Sequence, residues 1–271
     1  MNKIPTINLP KELEHFRKEI TKTIKPFVKV SVHKNSTELH QSKFAGDPYL
    51  PKEVEHPKDK NGKSMKLLAQ LNFEEIPKLE WMPNKGILQF FISAEDDVMG
   101  IEFNDMTYQA NFKIMFHTDI ISDESFLVTD FSYMNNLDTE FFPIQEELSL
   151  SFKIDYEPVS VEDYKISELL GESVDLSQKF SEFDEKDLWE IYCDTFLGDG
   201  HKIGGYPYFT QTDPRDYEIK YQGHEILLLQ IDSADENGIM WGDSGIANFF
   251  IRKDDLKKLN FSNVVYNWDC H

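Results

Sequence analysis

Positive charge is what this sequence has least of. Lys and Arg total 28 against 49 Asp and Glu in 271 residues, a formal net charge of −21. Nucleic-acid affinity rests on Lys and Arg neutralising phosphates, so a chain this acidic repels a polyanion, and no DNA or RNA partner is expected. An anionic membrane surface is disfavoured on the same ground. Cysteine is nearly absent: Cys193 and Cys270 make no disulfide framework and suit a reducing compartment. No apolar run approaches the roughly 20 residues of a membrane-spanning helix. Met1-Asn2-Lys3-Ile4-Pro5 lacks the apolar stretch of a signal peptide, and the expected location is the cytoplasm. There is no His-Glu-x-x-His, and two distant cysteines form no zinc signature, so neither a metal nor a cofactor is expected. No Pro-rich or Gly/Ser-rich linker divides the chain, which predicts one compact domain over residues 1–271.

What the chain does have is core-forming sequence, 40% hydrophobic with 21 Phe and 11 Tyr, and an order of motifs that occurs twice. Lys43-Phe44-Ala45-Gly46-Asp47-Pro48-Tyr49 is matched by Lys202-Ile203-Gly204-Gly205-Tyr206-Pro207-Tyr208. Each leads to a leucine run ending in Gln, Leu67-Leu68-Ala69-Gln70 and Leu228-Leu229-Gln230. Each then leads to an aromatic strand, Gly86 to Ile92 and Gly245 to Ile251. The interval from Gly46 to Gly86 equals that from Gly205 to Gly245. Matched motifs at matched spacing predict an internal duplication, with related halves at about 27–116 and 202–268 and an intervening strand-and-helix segment at 117–201.

Alternation at Val28-Val30-Val32, from Tyr108 to Phe116 and from Leu148 to Tyr156 predicts antiparallel strands with one wetter face. A further strand is expected at 101–103, a loop at 52–64, and loops with short strands at 117–147. Helices are expected at 11–24, about 161–170 and 185–197, the last capped by Asp184. The fold class is therefore α+β: an internally duplicated, mostly antiparallel β-sheet with a few flanking helices.

Gly46-Asp47-Pro48-Tyr49-Leu50-Pro51, Leu68-Ala69-Gln70-Leu71-Asn72, Trp241-Gly242-Asp243-Ser244-Gly245 and Trp268-Asp269-Cys270 resemble segments of the YwqG-like bacterial family, whose function is unknown. The resemblance spans about residues 40–268. It implies a duplicated α+β fold and no catalytic residue.

Gly242-Asp243-Ser244-Gly245 spells the surroundings of a serine-protease nucleophile, but a nucleophile needs an oriented His and an oxyanion hole. The first half has Pro83-Asn84-Lys85-Gly86 at the same place, so a turn explains both halves and a nucleophile only one. Gln70 and Gln230 end apolar runs and must satisfy up to four hydrogen bonds each if buried. Anchoring a loop backbone is favoured over lining a pocket. The segment from Asp232 to Gly238 fails the calcium-loop register, which leaves Asp232, Asp235 and Asp243 as a loose set of oxygen ligands. Cys193 is expected to be a small core residue.

Two functions follow as expectations. The acidic surface and the absence of a complete catalytic constellation point to a non-enzymatic binding protein with a basic protein partner, for example an effector that it neutralises. The alternative is a small-ligand receptor or enzyme with its site at the seam between the halves. Gln70, Asn72, His201, Gln211, Gln230, Asp232, Trp241 and Asp243 are the candidate lining, and Asp243, Trp241, Gln211 and His201 are the residues that only one half contains.

Overall fold

Ten strands dominate the chain, because β-branched and aromatic residues at period two fill the long stretches between its turns. The computed structural model describes residues 5–181 and 185–271. The strands are β1 (Lys25–His33), β2 (Lys43–Phe44), β3 (Lys66–Asn72), β4 (Ile87–Ile92), β5 (Phe112–His117), β6 (Leu148–Glu157), β7 (Lys202–Gly204), β8 (Ile226–Asp232), β9 (Ile246–Ile251) and β10 (Val264–Asp269). They form one antiparallel sheet in the order β10-β9-β8-β7-β1-β6-β2-β3-β4-β5, curled into a nearly closed barrel. At its centre β1 and β6 pair with Lys29 opposite Lys153. Four strands extend from each side of that pair.

The barrel interior is a continuous apolar core. Phe90 of β4 packs on Phe249 of β9 at 4.7 Å, and Phe249 stacks on Tyr266 of β10 at 4.6 Å. The two ends of the sheet are tied by the segment 98–106. Tyr266 donates its N–H to Met106 O at 2.9 Å and its hydroxyl to Met99 O at 2.8 Å, and Trp268 Nε1 donates to Val98 O at 2.7 Å. Strands β4 and β9 are buried along their whole length. Their outer faces are therefore covered rather than wet, and loops are what cover them.

Helices are few and short. Lys11–Phe16 is a 3-10 turn that runs into α1 (Arg17–Lys22), and Leu13, Phe16 and Ile20 bury the expected face. The second expected helix shrinks to α2 (Ile166–Leu170), and α3 spans Leu188–Thr195. Asp184, its expected cap, lies outside the described residues. The cap is Asp187, which accepts the Glu190 N–H at 2.8 Å while Glu190 accepts the Asp187 N–H at 3.0 Å. Two further short helices, α4 (Pro214–Tyr217) and α5 (Lys253–Lys257), flank the sheet. Helix α1, α2 and α3 pack a second apolar cluster around Leu13, Val159, Leu188 and Tyr192.

Three local expectations are corrected. Residues 101–103 and 108–111 are turns, not strand, and β5 starts only at Phe112. Asp96, Asp105 and Gly100 (φ +81°) break the alternation there, because Asp side chains bond nearby backbone N–H groups and Gly reverses the chain. Within 117–147 the structure has 3-10 turns at Glu124–Phe126 and Ser132–Met134 and isolated bridges, not short strands.

Gly205 shows how tightly the covering loops are set. Its φ is +74°, and a Cβ there would overlap the Glu157 carboxylate. That carboxylate accepts the Tyr206 N–H and the Lys202 ammonium, both at 2.7 Å. Gly205→Ala should cost about 2–3 kcal/mol through strain and a displaced acceptor. Gly62→Ala, at φ +80° with open space around it, should cost only about 1 kcal/mol. The urea midpoints of the two variants, at unchanged slope, measure the difference.

Candidate functional site

Gln70 and Gln230 are both fully buried on the outer face of the sheet. Gln70 Oε1 accepts the Tyr49 N–H at 2.8 Å, and its Nε2 donates to Leu39 O and Gln41 O at 2.7 and 2.8 Å. Gln230 Oε1 accepts the Tyr208 N–H at 2.8 Å, and its Nε2 donates to Gly198 O and Gly200 O at 2.9 and 2.8 Å. Gln89 donates to Tyr49 O at 2.7 Å, as Asn248 does to Tyr208 O at 2.8 Å. Each amide thus holds two loops onto the sheet; Gln70 makes all four of its bonds, its Oε1 also accepting from Gln89 Nε2 at 2.8 Å, and Gln230 makes three. Asn72 donates to His40 O at 3.1 Å in the same way.

Trp241, Asp243 and Gln211 come together elsewhere, around residues 268–271. Trp241 is fully buried at 6.2 Å from the Trp268 ring, and its Nε1 has no hydrogen-bond partner. Gln211 donates to Cys270 O at 2.7 Å, and Asp243 O accepts the His271 N–H at 3.2 Å. Gly242 to Ser244 form a turn before β9, with Ser244 at φ +54°. Among the described residues, no group of three or more His, Cys, Asp or Glu could hold a metal, so Asp232, Asp235 and Asp243 do not assemble.

A cleft of about 810 Å³ lies beside the central strand pair. Its floor is Phe27 and Lys29 of β1 with Asp155, Tyr156 and Glu157 of β6, and its wall is residues 193–201. Of the candidates only His201 lines it. Four carboxylates, Asp155, Glu157, Asp194 and Asp199, face one lysine, Lys29. Glu157 is neutralised by Lys202, and Asp194 is in an exposed ion pair with Lys186. Asp155 and Asp199 are exposed. These acids were not singled out from the sequence, because no linear pattern distinguishes them from the other 45 acidic residues of the chain. Only the register of β6 and the 193–201 loop brings them together.

The wall is tethered from behind. Asp232 Oδ2 accepts the Gly200 N–H at 2.7 Å, and the Asp232 N–H donates to His201 Nδ1 at 3.0 Å. That second bond requires the imidazole proton on Nε2. Burial lowers the His201 pKa to about 4, which keeps the ring neutral, and burial raises the Asp232 pKa. Cys193 lines the cleft and packs on the helical cluster. Burial first, then Glu162 and Asp194, push its pKa to about 11, so it stays an un-ionised thiol and a poor nucleophile.

Together these features define a mostly antiparallel, near-barrel protein with an acidic open cleft at the middle of its sheet. Residues 42–270 match the family model of the Domain of unknown function (DUF1963), and the chain belongs to that family. No curated protein matches the chain.

His201 makes the cleft wall sensitive to acid. A histidine whose pKa falls on folding supports the fold above its unfolded value near 6.5, and that support is lost as pH falls toward 4. The full loss is on the order of 3 kcal/mol. Ser42 shows a substitute, since its Oγ accepts the Asn72 N–H at 2.9 Å on the other side of the sheet. His201→Ser should keep an acceptor for Asp232 and flatten the decline in stability between about pH 6.5 and 4. Urea unfolding across that range tests this. Asp232, with its raised pKa, acts in the opposite sense and is common to both proteins.

Proposed function

We propose that this chain is a non-enzymatic binding protein whose central cleft receives a basic segment of a partner protein. The observation that carries this reading is the cleft lining of four carboxylates and one lysine on a chain of net charge −21. Exposed Asp155 and Asp199 are placed to meet Lys or Arg side chains, while Phe27, Tyr156 and Phe196 offer apolar and aromatic surface to their stems. The overall field accelerates encounter with a basic partner, and salt weakens it. The two reduced cysteines and the acidic surface suit a cytoplasmic setting, and the motifs resemble those of YwqG-like proteins.

The same reading takes the fold as an internal duplication. Lys43, Tyr49, Gln70 and Gln89 make the bonds that Lys202, Tyr208, Gln230 and Asn248 make. Strands β3 and β8 shift register at corresponding leucines, between Leu67 and Ala69 and between Leu227 and Leu229. The cleft then lies beside the β1–β6 seam, where the alternative reading, a receptor for a small cationic ligand, also places its site.

Titration with a Lys/Arg-rich peptide and with a Glu-rich peptide of equal length distinguishes these outcomes. The basic peptide should bind at low salt and weaken at least about tenfold at high salt. Asp155→Asn with Asp199→Asn should weaken it by about tenfold more. Binding of a small diamine but not of the peptide would favour the receptor reading. No binding of either, or binding that ignores the two substitutions, would reject the cleft as the site.

A further inference from the structure

A second groove, lined by other residues, has a different chemistry. It consists of two adjoining cavities of about 270 Å³ each, which share Lys25, Trp81, Glu225 and Ile226. The inner cavity is mostly apolar, walled by Pro26, Leu79, Met82 and Leu227 against the glycine backbone of Gly204-Gly205, with Glu80 and Glu225 also lining it. A Cβ at Gly204 would press on the Leu79 side chain, so the glycine is part of what shapes the slot. The outer cavity carries Lys25, Lys165 and Lys253, with Arg215 behind them.

Arg215 is committed. It is 2% exposed, bonded through Nε and Nη2 to Asp213 at 2.9 and 2.7 Å, and lies 3.4 Å from Asp163. The three lysines are not committed, and no ion pair joins any of them to a carboxylate among the described residues. Two sit close over aromatic rings instead: Lys253 Nζ is 3.5 Å from the Trp81 centroid and Lys25 Nζ is 3.9 Å from that of Tyr206. Lys165 Nζ is 5.4 Å from the Tyr164 centroid. A ring face holds an ammonium by its quadrupole and leaves its outer N–H groups free. Glu225 and Glu168 also line the outer cavity without pairing with these amines.

We infer that this groove binds a small amphiphilic organic acid, with its tail in the Leu79–Met82–Leu227 slot and its carboxylate among Lys25, Lys165 and Lys253. The inner cavity has room for about nine groups of roughly 30 Å³, which suits a medium-length acyl chain or a single substituted ring. Trp81 is 42% exposed at the junction of the two cavities and would cover the first carbons of the tail. Burial pulls the Lys25 ammonium below its usual range, against the opposing charges of Asp163 and Glu157 and with Arg215 and Lys165 adding to it. A bound carboxylate would reverse that pull, so binding should be accompanied by a rise in the Lys25 pKa.

The test is calorimetric titration of the intact protein with decanoate, decanol and decyltrimethylammonium, chains of one length and three charges. Decanoate should saturate one site and bind at least about tenfold tighter than decanol. Lys25→Gln with Lys253→Gln, neither of them in the core, should erase that advantage while leaving the urea midpoint near wild type. Trp81→Phe should remove the ligand-induced change in tryptophan fluorescence. Asp155→Asn with Asp199→Asn should leave decanoate binding unchanged, which separates this site from the acidic cleft. Equal binding of decanoate and decanol, tighter binding of the ammonium, no saturable site, or a charge preference that survives the double lysine substitution would each overturn the inference.

Discussion

The structure depends on one constraint: loops laid over both flanks of the sheet must find partners for their backbone polar groups. A backbone N–H or C=O covered without a partner costs about as much as a lost hydrogen bond. The segments 39–51 and 198–210 lie over strands that are buried on both faces, so water cannot serve them fully. Gln70 and Gln230 solve this with a single side chain on each flank, because an amide both accepts and donates. Gln70 satisfies one N–H and two carbonyls, as Gln230 does. Without them the loops would lift, the outer faces of β4 and β9 would meet water, and the cleft wall at Gly198 and Gly200 would lose its anchor.

The position of each strand follows from its pattern more readily than the fate of each polar residue. Val28 and Val30 bury while Lys29 and Ser31 face out, because alternation at period two leaves one assignment of faces. The stretch from Tyr108 to Phe116 alternates just as well, yet its first residues turn. Periodicity carries no information about Asp105 capturing the backbone N–H of Thr107 or about Gly100 reversing the chain. The site was less legible still. Apolar neighbours mark Gln70 and Gln230 as buried amides, but the cleft is built from ordinary aspartates whose meeting depends on long-range register. Of the eight candidates His201 lines it, Asp232 and Gln230 brace its wall from behind, and the other five are occupied elsewhere.

Charge is distributed with more structure than a net of −21 suggests. Cations that are buried are used to hold backbone: Lys202 is 1% exposed, and its ammonium joins Glu157 to Tyr206 O at 2.7 and 3.1 Å. Breaking such a pair leaves a charge stranded, which costs more than the pair contributes to stability. Lys43 is equally buried and donates to Asp47 O at 3.1 Å. Surface carboxylates are in excess because acids outnumber bases 49 to 28, and this excess is what gives the cleft its sign.

The two flanks of the sheet differ where their polar partners change type. Ser42 precedes β2 as His201 precedes β7, Asn72 ends β3 as Asp232 ends β8, and His117 ends β5 as Asp269 ends β10. On the first flank, His117 Nε2 lies 2.9 Å from Gln89 Oε1. On the second, Asn248 Oδ1 and Asp269 Oδ2 are buried oxygens without a partner, and burial raises the Asp269 pKa. Asp269 Oδ1 is already taken by the Thr210 N–H and hydroxyl at 2.9 and 2.7 Å. Where the first flank has a histidine that completes a bond, the second has an acid that leaves one open, and where the first has the neutral Ser42, the second has a histidine whose pKa burial lowers to about 4. The open oxygens of Asn248 and Asp269 cost the second flank some stability. They lie outside the cleft lining, whereas His201 and Asp232 are bonded to each other, and Asp232 to Gly200, at its wall. What distinguishes the wall is therefore not a missing bond but one that acid can break, because a protonated His201 could no longer accept the Asp232 N–H.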